Sequence, residues 1–90
     1  MRKVKYTAKF KKDAQRIKKR GFDFTLLNTV LDILLCEGQL PQKYQDHLLA
    51  GEYKNHRECH IAPDWLLIYR ISDDDLILTA VRTGSHSDLF

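Results

Sequence analysis

The fold is decided by the stretch His60-Ile61-Ala62-Pro63-Asp64-Trp65-Leu66-Leu67-Ile68-Tyr69, in which a proline turn leads directly into an apolar run. Residues 66–69 are apolar at every position, so a strand there would bury both of its faces and lie in the centre of a sheet. Short turns on either side of it predict antiparallel neighbours, because tight links join adjacent strands. We therefore predict a three-strand meander over residues 53–61, 65–72 and 76–83.

The N-terminal half predicts one strand followed by two helices. Residues 3–7 alternate polar and apolar side chains, which is typical of a short, half-buried strand. Thr7 and Asp23 are suitable N-cap residues for two amphipathic helices, and Gly21 can end the first of them. The short link between the helices indicates an antiparallel hairpin. Residues 39–51 read as a loop with one or two ordered turns.

These elements together predict an α+β fold with the order βααβββ and with both helices on one face of the sheet. Ninety residues suffice for one hydrophobic core, so we expect a single domain over residues 1–90. No apolar run approaches the ~20 residues of a membrane span. The two cysteines lack the spacing of a metal site, which predicts reduced thiols and a cytoplasmic location.

Charge is distributed very unevenly along the chain. Ten of the 15 Lys and Arg residues, but only one of the 12 Asp and Glu residues, fall within residues 1–20. This segment therefore carries a formal charge of +9, and the remainder carries −6. A basic block of this density favours a polyanionic or acidic partner, although it would also suit a solvated helix face.

The side chains that can carry chemistry lie in the C-terminal half. His60 and Asp64 flank one tight bend, Arg82 and His86 stand at and just beyond the end of the last strand, and His47 lies in the loop that enters the sheet. We expect these five to converge at one end of the sheet. Two histidines can act as base and acid, and an arginine can bind a phosphate. This set suits metal-independent RNA cleavage by attack of the 2′-OH on phosphorus.

Other interpretations of the same residues stay open at this point. Trp65 suits the core as well as the rim of a site, and Arg82 could pair with Asp64 or Asp88. A zinc site is the nearest chemical alternative, since histidines and a carboxylate are suitable ligands. The close His56-x3-His60 spacing would, however, need a helix where the pattern predicts a strand.

Two motifs carry a family resemblance. They are Asp46-His47-x-Leu49-x-Gly51-x-Tyr53-x3-Arg57-Glu58-x-His60-Ile61-x-Pro63-Asp64-Trp65-Leu66-Leu67-Ile68-Tyr69 and Arg82-Thr83-Gly84-Ser85-His86-x2-Leu89-Phe90. With this spacing the chain closely resembles the YafQ-like branch of the RelE/ParE superfamily of type II toxins over essentially its whole length. Tyr53 is a small departure, because relatives often have tryptophan there.

The resemblance implies an mRNA interferase, an endoribonuclease that cuts mRNA in the ribosomal A site without a metal or other cofactor and so inhibits translation. It assigns His86 as general acid and Arg82 as charge stabiliser, and leaves the base open between His60 and His47. The implied catalytic set is His47, His60, Asp64, Arg82 and His86. Substrate contacts are implied for Trp65, Phe90 and Arg57. Ribosome or RNA contacts are expected for Lys9, Lys12, Arg16, Lys19 and Arg20.

The resemblance also implies partners. These are the ribosome, its mRNA and a cognate antitoxin whose acidic segment wraps the toxin, which would be a monomer alone and part of a higher-order complex with the antitoxin. No membrane partner is expected. Two alternatives differ in class: a non-enzymatic, ParE-like inhibitor that binds its target, and a generic RNA-binding domain that uses only its basic helices.

Overall fold

Five strands form one mixed sheet in the computed structural model, which describes residues 1–36 and 38–90. The strands are β1 (Lys3–Tyr6), β2 (His47–Leu48), β3 (Arg57–Ala62), β4 (Trp65–Ser72) and β5 (Ile77–Gly84), and the helices are α1 (Ala8–Lys19), α2 (Phe24–Leu35) and α3 (His86–Leu89). The sheet order is β1-β5-β4-β3-β2. The predicted α+β fold is confirmed, with β4 in the central position expected for it.

Local sequence explains where the two long helices begin. The Thr7 hydroxyl accepts a hydrogen bond from the Phe10 N–H at 3.0 Å, and the Asp23 carboxylate accepts one from the Thr25 N–H at 3.0 Å. Both caps satisfy backbone donors that have no partner within a first helical turn. The left-handed φ of +83° at Gly21 separates the helices. Both predicted caps therefore lie where the pattern placed them.

The sheet contains two pairings that the pattern did not predict. β1 lies parallel to β5, with Lys3 opposite Ile77, although it is separated from β5 by most of the chain. β2 lies within the stretch predicted to be a loop and pairs antiparallel with β3, placing His47 opposite Glu58. Strand patterns indicate which face is buried but do not specify a distant partner.

Some boundaries also differ from the prediction. The first meander strand begins at Arg57 rather than Tyr53, because Tyr53 lies in a 3₁₀ turn and Asn55 has a left-handed φ of +68°. The polar tail after Gly84 forms the short helix α3. Its capping box joins the Ser85 hydroxyl to the Asp88 N–H and the Asp88 carboxylate to the Ser85 N–H.

The core divides at the sheet. The larger cluster lies between the sheet and the two long helices and includes Ile17, Val30, Leu67 and Tyr69. The smaller one joins Leu66 and Ile68 to Leu89 of α3 on the opposite face. Alternation along β4 therefore supplies both clusters from one strand. We call the face that carries the smaller cluster the open face.

Two further findings concern the predictions about thiols and membranes. Cys59 is buried and Cys36 is exposed, and both are free. Burial raises the pKa of the Cys59 thiol to about 12, which makes it unreactive. Among the residues that the structure describes, no helix has the length and apolar character needed to cross a membrane.

Candidate active site

Three predicted site residues meet at the end of the sheet where β3 turns into β4. His86 Nδ1 lies 2.7 Å from Asp64 Oδ1, and the His86 backbone N–H donates to the same oxygen at 3.0 Å. The rings of His60 and His86 are 5.7 Å apart at 67°. These contacts bring His60, Asp64 and His86 together from β3, the β3–β4 turn and the first residue of α3.

The proton on His86 follows from its partner. The hydrogen bonds from His86 hold the pKa of the Asp64 carboxyl below its usual range, so the carboxylate is ionised near neutral pH. An ionised carboxylate only accepts hydrogen bonds, so His86 Nδ1 donates, and Nε2 is the ring nitrogen available to another molecule. Among the described residues, no side chain or backbone group hydrogen-bonds to the His60 ring.

His47 lies on the same face, on the edge strand β2. Directly opposed residues of antiparallel strands point to one face, and so do residues two apart on a strand. His47 is opposite Glu58, and Glu58 is two residues before His60. The His47 Nδ1 donates to the Gln45 carbonyl at 2.8 Å, and its Nε2 is 3.4 Å from Glu58 Oε1.

Arg82 is held by an acidic residue that the prediction did not consider. It lies opposite Ile68 on β5, and its Nε and one terminal nitrogen donate to the Asp13 carboxylate at 2.6 and 3.1 Å. Asp13 also accepts from the Thr83 N–H at 3.2 Å. The Asp13 hydrogen bonds raise the pKa of the guanidinium, with a smaller contribution from Tyr53. The partner of Arg82 is therefore Asp13 on α1, not Asp64 or Asp88.

Phe90 and Tyr53 form a pair of contacting rings on the open face, which we call the aromatic corner. Phe90 is 66% exposed, and its ring meets that of Tyr53 edge-on at 6.3 Å. Tyr53 in turn packs against the smaller core cluster. An exposed ring supported by a second, half-buried ring offers a surface on which a base can stack.

Two residues implied as substrate contacts lie elsewhere. Trp65 is only 3% exposed because it packs edge-on against Phe22 at 5.0 Å in the main core, where its Nε1–H donates to the Thr83 hydroxyl at 2.9 Å. Arg57 lies opposite Tyr69, on the helix side of the sheet, and pairs with Asp46 at 2.9 Å. Neither side chain belongs to the open face.

The basic residues divide into two groups. Arg16 and Arg20 of the expected RNA-binding set are engaged by carboxylates, Arg16 with Asp13 and Asp88 and Arg20 with Asp88 at 2.7 Å. The exposed lysines of the set form no ion pair among the described residues. They are Lys9, Lys12 and Lys19, and we call them the lysine patch. Internal pairing therefore reduces the free positive charge below the formal +9.

Sequence reasoning missed Asp13 and Glu58 as parts of the site. Asp13 is the one acid in a basic block, and Glu58 alternates with His60 on β3, so both were visible in the pattern but had no assigned partner. For the zinc alternative, the described residues contain no group of three His, Cys, Asp or Glu side chains that could hold a metal ion.

The chain is similar to known toxins over its full length. A family model described as the bacterial toxin of type II toxin–antitoxin systems, YafQ, matches residues 2–90. The mRNA interferase toxin YafQ of Escherichia coli K12 is 37% identical over 90 residues, which cover 99% of this chain and 96% of that protein. A metal-bound toxin from Helicobacter pylori is 46% identical with a TM-score of 0.93, covering 100% of both chains.

A second solved structure shows a relative with its partner. In the E. coli DinJ–YafQ complex, the matching chain is 36% identical with a TM-score of 0.90, covering 100% of this chain and 99% of that one. Fold and similarity thus define a small toxin of the bacterial type II toxin–antitoxin class. Within that class, the chain belongs to the YafQ toxin family, which confirms the resemblance drawn from the two motifs.

Proposed function

We propose that residues 1–90 act as one toxin domain, an mRNA interferase that cuts mRNA on the ribosome and so stops translation in the cytoplasm. The observation that carries the proposal is the contact of His86 with Asp64 on an exposed face of the sheet, beside the His60 ring, which has no hydrogen bond to any described residue. The names of the E. coli relatives support the reaction class.

The reaction needs one proton acceptor and one proton donor. His60 takes the 2′-OH proton, and the freed oxygen attacks the adjacent phosphorus. His86 gives its Nε2 proton to the leaving 5′-oxygen, while Asp64 stabilises the imidazolium through Nδ1. The products are a 2′,3′-cyclic phosphate and a 5′-hydroxyl. Such acid–base catalysis contributes roughly 10²–10⁴-fold per group.

Arg82 and the aromatic corner position the substrate. The bidentate contact with Asp13 fixes the guanidinium, so that it needs no reorganisation to stabilise charge on the phosphoryl oxygens. Phe90 stacks on a base next to the cut. The lysine patch lies on α1 and would contact ribosomal RNA, a contribution that weakens as salt increases.

The proposed partner in the resting cell is an antitoxin with an acidic segment. Two crystal structures of E. coli relatives contain YafQ together with DinJ. The uneven charge of the present chain favours an acidic segment, because a strongly basic N-terminal region attracts one.

The decisive experiment maps cut sites on translating ribosomes. Wild-type protein should cut mRNA in the A site and leave a 2′,3′-cyclic or 3′-phosphate end, with or without a chelator. His86→Gln should lower the cleavage rate by about 10²-fold or more with unchanged stability. His56→Gln is the matched control, because the His56 ring bonds to the Lys54 carbonyl and lies outside the proposed set.

Two outcomes would contradict the proposal. Full activity of His86→Gln would remove His86 from the mechanism. Growth arrest without any cleaved mRNA would replace the nuclease with the ParE-like binding inhibitor.

A further inference from the structure

Glu58 is a buried carboxylate on the open face, opposite Ile68 of β4. It is 6% exposed, and its Oε2 has no hydrogen-bond partner among the described residues. Its Oε1 faces His47 Nε2 across the β2–β3 pairing at 3.4 Å. A buried carboxylate oxygen without a partner costs free energy, so its retention here needs a reason.

The hydrogen bond made by His47 Nδ1 determines which nitrogens of the ring must carry protons. The Gln45 carbonyl can only accept, so His47 Nδ1 carries a proton. In a neutral ring Nε2 would then be a bare lone pair facing a carboxylate oxygen, and the two would repel. At 3.4 Å the contact has the distance of an ion pair, and it is favourable only if Nε2 also carries a proton. An ion pair places that proton on the imidazole, facing the carboxylate oxygen.

Among the acids that the structure describes, only Glu58 pairs with the His47 ring. Asp46, the carboxylate adjacent to His47 in the chain, is turned to the opposite side, where it bonds to Arg57 and Tyr69. Glu58 is therefore the acidic group that faces the His47 ring.

We infer that Glu58 is a positioning residue of the RNA-cleaving site, one that holds His47 as an imidazolium whose Nδ1 bonds to the Gln45 carbonyl and whose Nε2 faces the Glu58 carboxylate. This inference rests on the proposed function. A histidine held in this way cannot accept the 2′-OH proton, so it leaves that task to His60. The ion pair instead fixes the orientation of the His47 ring at the edge of the face, as the pairing with Asp13 fixes the guanidinium of Arg82.

The first test reads the His47 ring directly and needs no RNA. Nitrogen-15 NMR of the free wild-type protein near neutral pH should show both His47 ring nitrogens protonated. In Glu58→Gln the amide N–H can donate to Nε2, so that Nε2 should shift to the range of an unprotonated imidazole nitrogen. Glu52→Gln, which alters an exposed glutamate, is the matched control and should leave the ring unchanged.

The second test measures cleavage on ribosomes. Glu58→Gln should lower the maximal cleavage rate by roughly 10–100-fold, the size of effect known for carboxylates that orient metal-binding histidines, with little change in the concentration for half-maximal rate. In a His47→Gln background the same substitution should have no further effect, because the two residues act as one unit.

The outcomes separate this inference from the proposed function. An unprotonated Nε2 on His47 of the wild-type protein would overturn the inference, whether or not RNA is cut, and this measurement does not depend on any variant folding. Independent, multiplicative effects of the two substitutions would also overturn it. If the wild-type protein cuts no mRNA while its His47 is doubly protonated, the pairing stands and the nuclease proposal fails.

Discussion

Replacing Asp13 with asparagine should both destabilise the protein and impair the proposed site. The carboxylate is 1% exposed and accepts from four donors: Arg82 Nε at 2.6 Å, Arg82 terminal nitrogen at 3.1 Å, the Thr83 N–H at 3.2 Å and Arg16 at 3.3 Å. Asparagine keeps the shape of the side chain. It removes the charge, however, and turns an N–H₂ group towards donors that need an acceptor.

The size of the effect follows from burial. Removing one partner of a buried ion pair costs about 3–5 kcal/mol. The Arg82 side chain is 16% exposed, so water can partly solvate the guanidinium and the lower end of about 3 kcal/mol applies. A domain of this length has a free energy of unfolding of only about 5–13 kcal/mol. With a urea m-value of about 1–1.5 kcal/mol/M, the unfolding midpoint should fall by roughly 2–3 M.

Urea unfolding followed by circular dichroism measures this shift, and cleavage on ribosomes measures the loss of function. Asp74→Asn, in the exposed β4–β5 turn, is the matched control and should change stability by less than about 0.5 kcal/mol. The double variant Asp13→Leu/Arg82→Met should recover much of the stability, since apolar replacements of buried ion pairs are often tolerated. It should stay inactive. A midpoint for Asp13→Asn within about 0.5 M of wild type would refute the reasoning.

Three further predictions concern the end of the chain and the basic helix. Gly84→Ala should displace α3 and lower cleavage, because φ at this position is +149° and the new Cβ would lie 2.9 Å from an Asp88 carboxylate oxygen; wild-type activity would show that α3 need not be fixed. The hydrogen bond from Arg20 lowers the pKa of Asp88, so its stabilisation is complete above about pH 5 and is lost as the pH falls through the lowered value. Wild type and Asp88→Asn should therefore differ in thermal stability near neutral pH and converge in acid, whereas a constant difference would argue against the ion pair. Neutralising the lysine patch should weaken ribosome binding most at low salt and least at high salt; equal binding at low salt would leave it a solubility feature.

Local features of the fold could be predicted from the sequence, whereas pairings between distant segments could not. Thr7 and Asp23 cap the two helices through bonds to residues two or three positions away, so the pattern contains all the information needed. The β1–β5 pairing and the β2–β3 pairing join segments that no local rule connects. The helix α3 lies between these cases, because the spacing of Ser85 and Asp88 is a capping box that the sequence displays.

In the site, too, contacts set by local structure could be predicted, whereas contacts between distant segments could not. His60, Asp64 and His86 converge because a tight turn and a strand adjacent to the central one bring them together, as the meander predicted. The partners of Arg82 and His47 could not be predicted from local patterns. Asp13 comes from a helix, and Glu58 comes from a strand pairing that the pattern did not indicate. Trp65 was placed at the site by resemblance, yet it is buried in the main core, where its Nε1–H donates to the hydroxyl of Thr83, the neighbour of Arg82.

The parallel pairing of β1 with β5 has a consequence during synthesis. Chains emerge from the ribosome N-terminal end first, so Lys3–Tyr6 must wait for Ile77–Ala80 before it can join the sheet. Pairing over so large a sequence separation is slow, and the nascent polypeptide stays incompletely folded until then. Arg82 and His86 follow those residues in the chain, so the proposed site can assemble only after the last strand of the sheet has been made.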